Sequence, residues 1–158
     1  MNVAPDFEEK VGILTNAVGM FHRLGVEKPK VAVTAAVETV NPKMEATVHG
    51  AMLAQMNRRG QIGGCVVDGP LALDNAVSRE AAAHKGIVSE VAGDADIILV
   101  PDIESGNMLH KALNFVGGAL SAGVILGARA PIVLTSRADS EASKLHSIAL
   151  AAAIGGKP

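Results

Sequence analysis

The sequence predicts an α/β fold, with a mostly parallel sheet covered by helices on both faces. Four short apolar runs recur at spacings of roughly 32 to 35 residues, the length of a strand with its crossover helix: Val31–Val33, Cys65–Val67, Ile97–Val100 and Ile132–Leu134. A loop of polar and small residues follows each run at once. Parallel strands end at one edge of a sheet, where α/β proteins bind their ligands, so these loops predict the site.

Length and composition favour one globular domain. Of 158 residues, 49% are hydrophobic and 19% are charged, which excludes a disordered chain. The 14 Lys and Arg residues do not outnumber the 16 Asp and Glu residues, so we expect no nucleic-acid partner. No apolar stretch approaches the ~18 residues of a membrane span, and we expect a cytoplasmic protein with no membrane partner. The single cysteine, Cys65, suits a reducing compartment and is predicted to be buried and unreactive.

The first two predicted helices follow from apolar periodicity. The first begins after Pro5, ends at Gly25 and has a stripe at alternating spacings of four and three: Phe7, Val11, Leu14, Val18 and Phe21. The second begins at Asn41 and Pro42 and has a stripe that suits the core or a subunit contact: Met44, Val48, Met52 and Met56.

Three further helices are predicted after the second strand. Asp74 and Asn75 can cap a short one. The longest runs from Asn107 to about Gly127 and is rich in glycine, alanine and serine, which tolerate close approach of another backbone. The last begins near Asp139 or Ser140 and has three apolar residues on one face: Leu145, Ile148 and Ala152.

Common catalytic motifs are absent from the sequence. It contains no dinucleotide-binding G-x-G-x-x-G after a strand, no P-loop and no G-x-S-x-G elbow. Its five histidines show no metal-ligand spacing, and we expect them to be surface or packing residues.

The loop after the fourth run predicts an anion site. A helix that begins there presents unpaired N–H groups, and Arg137, next to Ser136, adds a fork-shaped donor that matches phosphate. An alternative fits the spacing equally well: Arg137 pairs with Asp102 or Glu104 across the sheet edge, and the following helix is merely capped.

Four separated segments resemble the phosphate acyltransferases, specifically the phosphate butyryltransferase branch. These segments are VETVNPKM (37–44), VVDGPLALDNAVS (66–78), ADIILVPDIESGN (95–107) and APIVLTSRADS (130–140). They stand in the family's order and span nearly the whole chain. The resemblance implies exchange of an acyl group between coenzyme A and inorganic phosphate, with coenzyme A as a substrate and no metal or redox cofactor.

The resemblance also implies an architecture. Family members resemble isocitrate and isopropylmalate dehydrogenases, with two α/β domains and an active site in the cleft between them. Residues 1–158 would form a single α/β domain that corresponds to the carboxyl half of such an enzyme.

The same resemblance implies catalytic roles for Ser136, Arg137 and Asp139. Arg137 would hold the phosphoryl oxygens, and Ser136 would orient the thiol or the reacting carbonyl. In the phosphate acetyltransferase branch an Asp in the following helix removes the thiol proton, and Ser143 stands at that position here. The nearest carboxylates are those of Asp139 and Glu141. Asp139 is our choice for the base, with helix capping as its alternative role.

The PDIESGN segment is implied to bind substrate through Asp102, Glu104, Gly106 and Asn107. Gly106 permits close backbone approach, and Asn107 can donate to a ligand or cap the long helix. Asp102 and Glu104 would repel a bare phosphate, so we expect an ion pair with a cationic side chain. Asp68, at the end of the second strand, is expected to shape its loop, or else to line the pocket.

Two functions of different classes follow. The first is a phosphate acyltransferase acting on butyryl or a similar short chain. The second is a catalytically silent fragment or regulatory module that binds coenzyme A or an acyl phosphate, or that serves dimerisation. The small-residue helix and the methionine stripe favour a homodimer in either case.

Overall fold

The computed structural model describes residues 2–156 of the chain. Its sheet has three parallel strands: β1 (Lys30–Thr34), β2 (Val66–Leu71) and β3 (Ile97–Leu99). The order is β2-β1-β3, and Val31 of the central strand pairs with Val67 on one side and with Ile97 on the other. Three of the four predicted strands are thereby confirmed.

Residues 2–156 form six α-helices: α1 (Phe7–Arg23), α2 (Glu45–Arg58), α3 (Leu73–Val77), α4 (Arg79–His84), α5 (Ile103–Lys111) and α6 (Glu141–Gly155). A π-helical segment, Ala112–Val116, continues α5. The prediction for α1 is confirmed, since Leu14 and Val18 of its stripe are buried and Gly25 takes a positive φ of 91° just after its end. None of the helices in this part of the chain has the length and hydropathy to cross a bilayer.

The core lies on both faces of the sheet because successive residues of β1 point to opposite sides. Val31 and Val33 pack in a cluster with Leu14 and Val18 of α1 and with Leu53 of α2. On the opposite face, a smaller cluster brings together four buried residues: Ala32, Leu71, Ala76 and Val91. Helices α1 and α2 cover one face and α3 contributes to the other, as the predicted fold requires.

The fourth predicted strand, Ile132–Leu134, is wrong. Ile132 makes only an isolated antiparallel bridge to Ile125, with backbone hydrogen bonds of 2.8 and 3.1 Å. Ile132, Val133 and Leu134 are all exposed. An apolar run becomes a strand only where a neighbouring strand satisfies its backbone, and no described strand lies beside this run.

The long helix predicted over 107–127 is also wrong. Helix α5 begins earlier, at Ile103, and the helical backbone ends at Gly117. Gly118 takes a φ of 66°, which is incompatible with a right-handed helix. The small residues that follow are mostly exposed, so they do not provide the expected close packing.

Helix α2 begins at Glu45, after a turn in which Lys43 N–H donates to Oδ1 of Asn41 (3.0 Å). Its most buried residues are Thr47, His49, Gly50, Leu53 and Ala54. Met52 is exposed and Met56 only packs against the edge of the core. The predicted methionine stripe is therefore not the core face of α2.

The predicted caps of the short helix are wrong as well. Asp74 and Asn75 lie within α3, where the Asp74 carboxylate accepts from the Asn75 N–H at 2.8 Å. The side chain that caps a helix here is that of Ser78, which accepts from Ala81 N–H at the start of α4 (3.2 Å).

Candidate active site

A tight turn presents Ser136 and Arg137 just before α6. The Ser136 N–H donates to Oδ2 of Asp139 at 2.7 Å, and the Asp139 N–H donates back to the Ser136 carbonyl at 3.1 Å. The Ser136 hydroxyl accepts from the Ala138 N–H at 3.3 Å. These bonds close the turn and leave Arg137 exposed.

Ser140, rather than Asp139, caps α6. Its hydroxyl accepts from the Ser143 N–H at 3.1 Å. The capping role weighed for Asp139 is therefore wrong, and the Asp139 carboxylate shapes the Ser136 turn instead. Among residues 2–156, the other carboxylate oxygen, Oδ1, accepts no hydrogen bond.

The turn opens on a cavity of about 460 Å³. Ser136, Arg137 and Asp139, the three predicted catalytic residues, all line it. Ser143 lines it too, at the position where the acetyltransferase branch is expected to carry its acid. The structure thus brings the predicted catalytic set into one space.

The Arg137 guanidinium forms no ion pair with the residues that the structure describes. None of the ion pairs found within the described chain involves Arg137, Asp102 or Glu104. The alternative in which Arg137 pairs with Asp102 or Glu104 is therefore wrong, as is the ion pair expected for those two acids. The guanidinium can receive an anion.

Asp102 acts as the N-cap of α5. Its Oδ1 accepts from the Ser105 N–H (2.8 Å) and also from the Ser105 hydroxyl. Both hydrogen bonds lower the pKa of Asp102, and the bond from the Ser105 hydroxyl has the larger effect. The carboxylate orders the PDIESGN loop, and Asn107 lies inside α5 and caps nothing.

Gly106 permits a close approach, as expected, but the approaching group belongs to the chain itself. A Cβ at Gly106 would lie 3.0 Å from Cγ2 of Val100. Any larger residue there would push α5 away from the end of β3.

The predicted substrate-binding residues share a second cavity, of about 650 Å³. Asp102, Glu104, Gly106 and Asn107 all line it, together with apolar residues of α1, β3 and α5. The two predicted groups of site residues therefore lie in two cavities. His110 lines both cavities.

His110 was not among the site residues predicted from the sequence. The sequence signal was the position of His110, three residues after Asn107 and four after Gly106. This spacing places His110 on the same face of α5 as those two residues. Asn114 Nδ2 lies 3.1 Å from Nε2 of His110 and 3.2 Å from the hydroxyl of Ser121, which also lines the catalytic cavity.

Two other predictions for single residues are confirmed. Cys65 is buried, and its burial raises the pKa of the thiol, which makes it a poor nucleophile. Asp68 accepts from the Gly69 N–H at 2.9 Å and so shapes its own loop. Asp68 lies 3.8 Å from the Arg58 guanidinium and lines a separate cavity beside β2.

Residues 2–156 contain no group of three or more His, Cys, Asp or Glu side chains that could hold a metal ion. The expectation of a reaction without a metal or redox cofactor stays a prediction.

The chain is thus a parallel α/β domain whose candidate site sets a serine and an arginine before a helix. It belongs to the family described as "Phosphate acetyl/butaryl transferase", which matches residues 1–152. This confirms the resemblance found in the sequence.

Relatives and a solved structure agree with this family. The chain is 64% identical over 151 residues to a "Probable phosphate butyryltransferase" of Bacillus subtilis, covering 96% of this chain and 50% of that protein. It is 54% identical over 155 residues to a "Phosphate butyryltransferase" of Clostridium acetobutylicum, covering 98% and 52%. A branched-chain phosphotransacylase from Enterococcus faecalis superposes with a TM-score of 0.89 at 41% identity, covering 98% of this chain and 55% of that one. The chain spans about half the length of the curated relatives it matches.

Proposed function

We propose that this chain is the carboxyl-half domain of a phosphate acyltransferase that exchanges a short-chain acyl group between coenzyme A and inorganic phosphate. One observation carries the proposal: Ser136, Asp139 and an arginine without an ion pair line one cavity in a member of this family.

The chemistry requires a positive group where phosphate leaves or attacks. In the direction of acyl-CoA synthesis, the thiolate sulfur attacks the carbonyl carbon of the acyl phosphate. The new C–S bond forms, the C–O bond to phosphate breaks, and phosphate departs with that electron pair. Arg137 holds the phosphate oxygens by paired N–H donors, and Ser136 orients the thiol or the carbonyl.

We assign Asp139 as the base that removes the thiol proton. Its Oδ2 is held by the Ser136 N–H, and Oδ1 is left to accept the proton. Ser143 cannot take this role at neutral pH because a hydroxyl is a weak base. A positioned base of this kind contributes roughly 10²–10⁴-fold to the rate.

The second half of the active site is supplied by another domain. In this proposal the parent protein has two α/β domains that resemble those of isocitrate and isopropylmalate dehydrogenases, with the reaction in the cleft between them. The exposed position of Arg137 fits such a cleft. The reaction uses no metal or redox cofactor, and the protein works in the cytoplasm.

The test is release of coenzyme A from butyryl-CoA with phosphate, measured on the parent protein that carries both domains. We expect Arg137→Ala to abolish turnover and Arg137→Lys to recover a fraction of it, because lysine keeps the charge and loses the fork. Arg59→Ala is the matched control, since Arg59 is exposed at the end of α2 and outside both cavities. Equal turnover in Arg137→Ala and the wild type would contradict the proposal.

The second candidate, a silent binding module, is favoured by the half-length of the chain relative to its relatives. A folded parent protein with both domains that binds coenzyme A in calorimetry but shows no turnover would select it. Loss of that binding in Arg137→Ala would still place the ligand at the same turn.

We also propose a homodimer. Large apolar side chains are exposed on the π-helical segment and after it, including Phe115, Val116 and Leu120. Monomeric proteins rarely leave so much apolar surface in water. Sedimentation equilibrium tests this, and a monomer at all concentrations would contradict it.

A further inference from the structure

Two arginines line a further cavity, of about 230 Å³, that contains none of the site residues predicted from the sequence. Arg23 comes from the end of α1 and Arg129 from the loop after Ile125, and the last turn of α6 completes the wall. No Asp or Glu among residues 2–156 lines this cavity. The ion pairs within the same residues involve neither arginine. Two guanidinium charges therefore share one small space without a carboxylate to neutralise them.

The Arg23 guanidinium is held in place before any ligand arrives. Its Nη1 donates to the carbonyl of Ile154, in the last turn of α6, at 2.9 Å. The carbonyls at this end of a helix carry a partial negative charge, which the contact offsets. A guanidinium has several N–H donors, so the bond to Ile154 leaves others free for a ligand.

The loop of Arg129 lies close against α1. Gly127 has a φ of 96°, and a Cβ there would lie 3.2 Å from Nδ2 of Asn16, which also lines the cavity. The absence of a side chain at Gly127 thus allows the loop to approach the Asn16 amide. The N–H groups of residues 127–130 make no backbone–backbone hydrogen bond within residues 2–156. Neutral donors therefore accompany the two guanidinium groups.

The charge and the shape of this donor set match a phosphate group. A phosphate monoester carries about −1.5 to −2 charges at pH 7 and three strong acceptor oxygens, which suits two arginine forks. A carboxylate has one charge and would leave one guanidinium unmatched. A water molecule takes about 30 Å³ in the liquid, so a cavity of 230 Å³ has room for a tetrahedral anion and its remaining hydration.

We propose that Arg23, Arg129 and Asn16 bind a phosphate group, either inorganic phosphate or a phosphate monoester. This site is separate from the turn of Ser136 and Arg137, because the two cavities share no lining residue. The inference goes beyond the proposed function and does not rest on it.

The experiment is a titration of inorganic phosphate into the parent protein that carries both domains and the substitution Arg137→Ala. This substitution removes the contribution of Arg137 to phosphate binding. NMR of the arginine Nε–Hε groups reports the result. We expect the signals of Arg23 and Arg129 to shift and to saturate. The signal of Arg59, which is exposed and lies outside this cavity, should not move.

Three variants on the same background locate the binding. Arg129→Gln keeps a polar side chain on an exposed loop and removes the charge, so the affinity for phosphate should fall about tenfold or more. Asn16→Ala should weaken binding less, because a neutral donor contributes less than a charged one. Arg59→Gln is the matched control and should bind like the protein with arginine at position 59.

Coenzyme A and 3′-dephospho-coenzyme A distinguish the sources of the phosphate. A shift of Arg129 with the first and not with the second supports the site with a phosphate monoester as its ligand. A shift with inorganic phosphate alone supports it with the free ion. If no probe moves Arg23 and Arg129, or if NaCl at equal ionic strength moves them as far, the site is overturned. Unchanged phosphate affinity in Arg129→Gln would overturn it too, and none of these results bears on the role of Arg137.

Discussion

The Lys10 ammonium lies 3.0 Å from Nδ1 of His49, and this pair joins α1 to α2 inside the protein. Both side chains are buried, with exposed fractions of 3% and 9%, and the Phe7 ring packs 5.3 Å from the imidazole. Burial lowers the pKa of Lys10, and burial followed by the Lys10 charge lowers that of His49. Neutral imidazole can accept from the ammonium, whereas imidazolium would repel it.

Acid should therefore destabilise the protein through His49. Because the folded-state pKa lies below 6.5, the unfolded chain binds more protons than the folded chain between those two values. The free energy of unfolding falls as pH decreases through 6.5 and levels off below the depressed pKa. Glu45 and Asp6 also act on His49 and oppose this shift without reversing it. Asp102, whose pKa is also lowered, loses its stabilising contribution at more acidic pH, as the pH falls through its ordinary value of 3.8.

The measurement is the Tm of the wild type and of His49→Gln above and below pH 6.5. On acidification the Tm of the wild type should fall more than the Tm of the variant, because glutamine accepts from Lys10 and does not titrate. Equal losses in the two proteins would show that His49 is not the group responsible.

Replacing Asn57 should unfold the end of α2. Its Nδ2 donates to the carbonyls of Ile62 (2.9 Å) and Cys65 (3.0 Å), and its Oδ1 accepts from the Val67 N–H (3.0 Å). Asn57→Leu keeps the size and leaves these three backbone groups without partners, which should cost about 3 kcal/mol. Urea denaturation measures this, with Gln55→Ala, on the exposed side of α2, as a control that stays within about 0.5 kcal/mol.

Two glycine-to-alanine substitutions should change the free energy of unfolding in opposite directions. Gly93 has a φ of 75°, and a Cβ there would lie 2.5 Å from the Arg79 backbone. Gly93→Ala should destabilise the protein by about 3 kcal/mol. Gly12 lies within α1 with nothing within 4 Å of its Cβ position, so Gly12→Ala should stabilise by about 1 kcal/mol. Thermal unfolding of both variants measures these changes. A loss of stability in both would contradict the stabilisation expected for Gly12→Ala.

Asp139→Asn should separate the two roles of this carboxylate. Asparagine retains an oxygen that accepts from the Ser136 N–H, so the turn and the affinity for coenzyme A should persist. It removes the proposed base, so the kcat of the parent protein should fall by roughly 10²–10⁴-fold. Asp139→Ala should lose affinity as well. If Asp139→Asn turns over at the wild-type rate, another group takes the proton.

The sequence predicted best those elements whose own residues carry the pattern that defines them. The stripe of α1 is strictly periodic, and three apolar runs became strands because they pair within the chain. Ser136, Arg137 and Asp139 are close in sequence, so their shared turn follows from local geometry. Lys10 was missed because a long polar side chain on an apolar stripe gives no sign of a partner on another helix.

Predictions failed where structure depends on distant contacts or on single dihedral angles. The run at Ile132–Leu134 has the composition of a strand, but strand formation depends on a neighbour that composition does not encode. The helix after Asn107 was extended too far because the Gly117–Gly118 break lies within a stretch of helix-compatible small residues. His110 lay outside the four motifs, so only helical geometry brings it to the site.

The exposed apolar side chains after α5 have a consequence for the cavity beside Ser136 and Arg137. Leu134 belongs to this exposed surface and also lines the cavity of Ser136 and Arg137, two residues along the chain. Any surface that packs on Leu134 also covers one wall of this cavity. Burial of this apolar surface and the shape of the candidate site are therefore physically coupled.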